Sequence, residues 1–100
     1  MLKHIVMWRL KDEAEGATRA ENARKMQQML EALLTKIPGV LVLEVGLNVV
    51  DGPTASDVCL YSEFPSLEAM QAYQEHPEHQ KCVAFIKAVA AERRAVDYHC

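Results

Sequence analysis

One hundred residues, half of them hydrophobic and a quarter charged, make one domain of ordinary size spanning residues 1–100. That balance excludes intrinsic disorder, because enough apolar surface is present to offset chain entropy. No apolar run approaches the ~18 residues needed to span a bilayer, so no membrane partner is expected. The net charge is −3, and the bases are scattered beside acids: Lys11 adjoins Asp12 and Glu13, and Arg93 adjoins Glu92. A nucleic-acid binder concentrates Lys and Arg on one face, so nucleic acid is not an expected partner.

The opening Met1-Leu2-Lys3-His4-Ile5-Val6 places a charge inside its apolar stretch and offers no small-residue cleavage site. It does not read as a signal peptide, and a cytoplasmic protein is expected. Three cysteines, Cys59, Cys82 and Cys100, lack CxxC spacing. They read as reduced thiols, with Cys59 and Cys82 buried and Cys100 a terminal bystander.

Leu2–Leu10 reads as a strand. His4, Val6, Trp8 and Leu10 share one face, and Lys3, Ile5, Met7 and Arg9 the other. Glu13–Gly16 is a polar connection, after which Thr18 or a neighbour starts a helix reaching about Lys36. Ala23, Met26, Leu30, Leu33, Leu34 and Ile37 recur there at helical spacing. Pro38-Gly39 ends that helix. Val40–Val50 is a second strand, with Leu41, Leu43, Val45, Leu47 and Val49 in alternation. The turn cluster at 51–56 leads to a third strand, Val58–Phe64, whose short link suggests antiparallel pairing with the second.

Ser66 is a suitable N-cap for a short helix to about Gln74, and Pro77 fits the first turn of another running to about Arg93. Ala95–His99 closes the chain as a final strand. The order β-α-β-β-α-β predicts an α+β, ferredoxin-like sandwich. Helices cover only one face of such a sheet, while the first two strands carry apolar residues on both faces. Pairing of two copies, sheet against sheet, removes the leftover apolar patch, which predicts a homodimer.

Several stretches then gain meaning together: Lys3-His4-Ile5-Val6, Lys36-Ile37-Pro38-Gly39-Val40, Phe64-Pro65-Ser66-Leu67-Glu68-Ala69, Tyr73 through His79, and Val96-Asp97-Tyr98. In this order and spacing the chain resembles, over nearly its whole length, the stress-responsive dimeric α/β-barrel (Dabb) domain family. The resemblance implies a ferredoxin-like protomer and a barrel-like dimer. One plant member is a polyketide cyclase that performs an intramolecular aldol condensation with a tyrosine and a histidine as acid and base. Tyr73 and His79 match that pair in position, and His4 matches a pocket histidine on the first strand. A further family histidine falls here at Val58, so Asp57-Val58 keeps the preceding acid and lacks the imidazole.

The residue types support the same chemistry independently. A tyrosine donates a hydrogen bond to a developing enolate, and a histidine moves a proton near neutral pH, with no cofactor required. The candidate catalytic residues are therefore His79 and Tyr73, and the candidate ligand-binding residues are His4, Trp8 and His76. Each also has a structural role open to it. His76 can cap the helix that Pro77 begins, His79 can bond a backbone group, Tyr73 can fill the core, and His4 and Trp8 can belong to the dimer core. His76 and His79 with a neighbouring acid or Cys82 fall short of a metal site, because Pro77 interrupts the spacing and no further ligand cluster stands out. The ligand expected is a small apolar or carbonyl-containing molecule, held in a cavity between sheet and helices. A cyclase or lyase without cofactor and a purely structural dimer are the alternatives.

Overall fold

The computed structural model describes residues 1–100. Its first strand, β1 (Leu2–Leu10), buries Leu2, His4, Val6, Trp8 and Leu10 and turns Lys3, Ile5, Met7 and Arg9 the other way, as the two-residue period of a strand requires. The polar connection that follows is more ordered than its composition suggests. Glu13–Ala14 (β2) and Ala17–Thr18 (β3) pair antiparallel around Glu15 and Gly16, both at positive φ (51° and 72°). Two consecutive positive φ values are the mark of a tight hairpin turn. Buried Asn22 holds the hairpin down by donating from Nδ2 to the Ala14 carbonyl at 3.0 Å.

Thr18 and Glu21 form a reciprocal capping box that starts α1 (Arg19–Glu31). The single helix expected up to Lys36 is interrupted at Ala32, and a short α2 (Leu33–Lys36) completes it. The break lets Leu33 and Ile37 both reach the core while Leu34 remains 42% exposed. Gly39 then reverses the chain at φ 93°.

The second long strand, β4 (Val42–Leu47), is shorter than the alternation suggested. Asn48 takes its backbone N–H to the Asp57 carbonyl and its side chain to the Val50 carbonyl, so Val49 and Val50 lie in an exposed turn. Antiparallel β5 (Val58–Phe64) returns beside β4, and α3 (Leu67–Glu75) follows, capped by Ser66. Pro77 opens α4 (Pro77–Val89).

The helix expected to reach Arg93 stops at Val89, and β6 (Ala90–His99) begins at once. The reason is the ladder on offer. β6 pairs antiparallel with β1 from Leu2↔His99 to Leu10↔Ala90, satisfying backbone groups that a longer helix would leave open on the β1 edge. The sheet order is β4-β5-β1-β6, and the elements give the ferredoxin-like βαββαβ arrangement plus the small hairpin.

All the helices lie on one face of the sheet. Val6, Trp8, Leu10, Leu43, Val45, Leu60 and Phe64 project to that face and meet Met26, Leu30, Leu33, Met70, Tyr73 and Val89. The opposite face carries Ile5, Met7, Val42, Cys59, Tyr61, Val96 and Tyr98. Met7, Val42, Val96 and Tyr98 on it are between 38% and 52% exposed in the protomer. An apolar strip of this kind on a sheet marks an interaction surface.

Candidate functional site

Register, not sequence proximity, assembles the site. In the β1–β6 ladder His4 stands opposite Asp97 and Trp8 opposite Arg93, all on the helix-facing side. His4 is buried, and its Nδ1 is hydrogen-bonded to the Asp97 carboxylate. A carboxylate only accepts, so Nδ1 carries the proton, and in the neutral ring Nε2 holds the lone pair. The backbone beneath is fixed too, since Ser62 Oγ donates to the His4 carbonyl at 3.0 Å.

His79 enters from the first turns of α4. Its Nδ1 donates to the Gln74 carbonyl at 3.1 Å, across the break between α3 and α4. That bond again leaves Nε2 as the lone-pair nitrogen. Burial pushes the His79 imidazole below its ordinary pKa, against the Gln74 carbonyl that favours the cation, and the positive potentials of His4 and Arg93 lower it further. His79 is therefore neutral at neutral pH, the state a proton acceptor needs.

The rings of Tyr73 and His79 lie 4.6 Å apart, and an aromatic chain continues through Phe64 to His4, with centroid separations of 5.2 and 6.5 Å. The two residues that Pro77 separates in sequence thus meet in space. Tyr73 is fully buried, and its hydroxyl finds no hydrogen-bond partner on the protein. Burial raises its pKa above the usual phenol range, followed by a smaller effect of Cys82. The hydroxyl is held protonated, as a donor.

Between β1, Leu30 of α1 and the inner face of α4 lies a largely enclosed cavity of about 120 Å³. Val6, Leu60, Val83 and Ile86 give it apolar walls, and His4, His79 and Trp8 stand on it. Tyr73 backs His79 and does not itself line the cavity. An engineered apolar cavity of about 150 Å³ accepts benzene, so this space suits a single ring or a short chain. His76, one of the five candidates, is elsewhere. Its Nδ1 accepts from the Glu78 backbone N–H at 3.1 Å, making it the N-cap of α4.

Three contributors escaped the sequence reading. Asp97 and Arg93 come beside the candidate histidines because β6 starts at Ala90 and runs the length of β1, and Lys87 joins them from the last turn of α4. Counting back from Asp97 against His4 in an antiparallel register was the signal available. No group of three or more His, Cys, Asp or Glu side chains is arranged to hold a metal ion. No helix is long and apolar enough to cross a membrane.

The fold and the sequence both have relatives. An uncharacterized protein of Streptomyces coelicolor is 31% identical over 91 residues, covering 90% of this chain and 91% of that protein. A dimeric protein of unknown function and ferredoxin-like fold from Bacteroides fragilis superposes with a TM-score of 0.84 at 31% identity, covering 99% of this chain and 95% of that one. A hydroxynitrile lyase from Passiflora edulis shares the fold with a TM-score of 0.77, at 16% identity, covering 97% and 90% of the respective chains. The stress responsive A/B barrel domain matches residues 2–100, and this chain belongs to that family.

Proposed function

We propose that the protein is a homodimer, joined through the open sheet face, in which each protomer binds a small apolar or carbonyl-containing molecule. The observation that carries the binding reading is the pairing of His4 and His79 on one small apolar cavity. Each ring has its Nδ1–H engaged inside the protein. Mostly apolar walls with a few converging polar groups are the usual make-up of a ligand site. The dimer reading is supported by the exposed apolar strip and by the dimeric state of the Bacteroides fragilis neighbour. Three free cysteines suit a reducing cytoplasm.

Cyclohexanone and benzaldehyde are suitable probes. Titrating either into the protein, with the four imidazoles followed by NMR, should move His4 and His79 saturably and leave His76 and His99 in place. Equal, non-saturating drift of all four would remove the reading.

A second reading, a cofactor-independent cyclase or lyase, is favoured by the contact between Tyr73 and His79. The neutral imidazole of His79 stands on the cavity as the base that proton removal next to a carbonyl needs, and the protonated Tyr73 phenol packs against it from behind. Exchange of the cyclohexanone α-protons in heavy water tests it. Catalysed exchange lost in His79→Gln supports the enzyme, and exchange no faster than in buffer leaves a binding protein. A protein that neither binds nor exchanges is the structural dimer.

A further inference from the structure

The reading of the cavity as a carbonyl site leaves three of its features unused. The first is Trp8. Its indole is 4% exposed and lines the cavity, yet its Nε1–H has no acceptor on the protein. A buried donor left without a partner costs free energy, so such groups are retained where something else satisfies them. The second is Arg93, opposite Trp8 in the ladder and also on the cavity wall. The third is Lys87, one α4 turn beyond Val83 on the same wall. Neither cation makes an ion pair, since the salt bridges of the protomer involve other residues.

These groups are continuous with an outer opening. Trp8, Ile86, Lys87 and Arg93 also line a shallower cleft of about 230 Å³ between the end of α4 and the start of β6. Glu92 is the one acid on that cleft, and it stands opposite Arg9 in the ladder. No acid lines the inner cavity, and Asp97, beside it, is bonded to His4. The charges left facing the site are therefore positive, on a protein whose net charge is −3. A local field opposite in sign to the whole molecule selects for a ligand of the other sign.

We propose that the ligand is an anion, a small carboxylate with a ring-sized apolar body, whose oxygens are received by Trp8 Nε1–H and the Arg93 guanidinium, with Lys87 at the opening. This rests on the cavity being a ligand site and adds what the ligand carries. An indole N–H beside a guanidinium fork supplies converging donors for two carboxylate oxygens. The apolar body then fills the space walled by Val6, Leu60 and Val83. His4 and His79 remain free to contact the body, their Nε2 lone pairs open to a donor carried on it.

Trp8 is the only tryptophan, so the protein has a single indole N–H signal to follow by NMR. The probes are two pairs of equal shape, benzoate with benzamide and hexanoate with hexanamide, at neutral pH where both acids are ionised. In at least one pair the carboxylate should bind at least about tenfold more tightly than its amide and shift the indole N–H signal downfield. Arg93→Gln should reduce that preference to about threefold or less, with Lys87→Gln giving a smaller loss. Both side chains are on exposed residues, and unchanged spectra elsewhere confirm that the variants fold. Amides binding as tightly as carboxylates would overturn the anion assignment and leave the cavity reading intact. Carboxylate preference surviving in Arg93→Gln would overturn the role of Arg93. No saturable response to any of the four probes would overturn the anion assignment and count against the cavity as well.

Discussion

His4 and Asp97 lie 93 residues apart in sequence and share a hydrogen bond across the β1–β6 ladder, which joins the two ends of the chain and fixes the orientation of a buried imidazole. Asp97 is a positioning residue in this arrangement. It acts on the cavity only through the ring of His4. Asp97→Ala should destabilise the fold by about 1 kcal/mol, below the roughly 1.5–3 kcal/mol of a buried charge-assisted bond, because the carboxylate is 39% exposed and screened by solvent. Urea unfolding gives that number. Nitrogen chemical shifts of His4 should at the same time show loss of the single Nδ1–H tautomer. A retained tautomer would mean that packing alone orients the ring.

His79 should titrate below the ordinary histidine pKa of about 6.5. Because the folded value is depressed, the unfolded chain binds the proton more readily. The linked stability is complete above about pH 6.5 and declines as pH falls from there toward the folded pKa. His79→Gln should therefore flatten the stability profile just below pH 6.5 and leave it unchanged at pH 8. Denaturant unfolding at the two pH values measures the difference, and an identical slope in both proteins would contradict the assignment.

The three thiols should separate by exposure and ionisation. Cys100 is exposed, Cys59 half-buried on the open sheet face, and Cys82 buried. Burial raises the Cys59 and Cys82 pKa values, so less thiolate is available at either. Titration of native protein with a disulfide reagent should show one fast equivalent, at Cys100. The other two should react rapidly only after unfolding.

Val96 lies on the open sheet face opposite Ile5 and is 52% exposed in the protomer. Val96→Asp should weaken a sheet-to-sheet dimer by at least about a hundredfold, since an unpaired charge would be placed in its centre. Light scattering across a dilution series reads the change. The substitution should barely affect protomer stability, because surface positions usually tolerate change within about 0.5 kcal/mol. A dimer unaffected by this change would place the interface elsewhere.

Much of this fold was legible because the hydrophobic period is clean where it matters. The alternation in Leu2–Leu10 assigned both faces of β1 correctly, and Ser66 and Pro77 marked the starts of α3 and α4. The period failed at boundaries set by tertiary pairing. Ala90-Ala91-Glu92-Arg93 is good helix-forming sequence, yet it joins the β1 ladder, where its backbone groups are satisfied. That one boundary hid Arg93 and the alignment of Asp97 with His4. The Glu13–Thr18 hairpin was hidden for a different reason, since Glu15 is not a residue expected at positive φ.

Within the site, residue type pointed to His4, Trp8, Tyr73 and His79, and the geometry separates their positions. His4, Trp8 and His79 stand on the cavity, Tyr73 packs behind His79, and His76 caps a helix. Sequence spacing carried no information on this, because the break at His76-Pro77 turns α4 relative to α3. The meeting of Tyr73 with His79 follows from that turn.

The most direct measurement is a crystal structure of the protein soaked with cyclohexanone and, separately, with benzoate. Each molecule is expected in the cavity between β1 and α4, its apolar body against the rings of His4 and His79 and an oxygen about 2.6–3.2 Å from the donor Nε1 of Trp8. Probes found only on the open sheet face or at lattice contacts, with the cavity walls closed on one another, would contradict this placement.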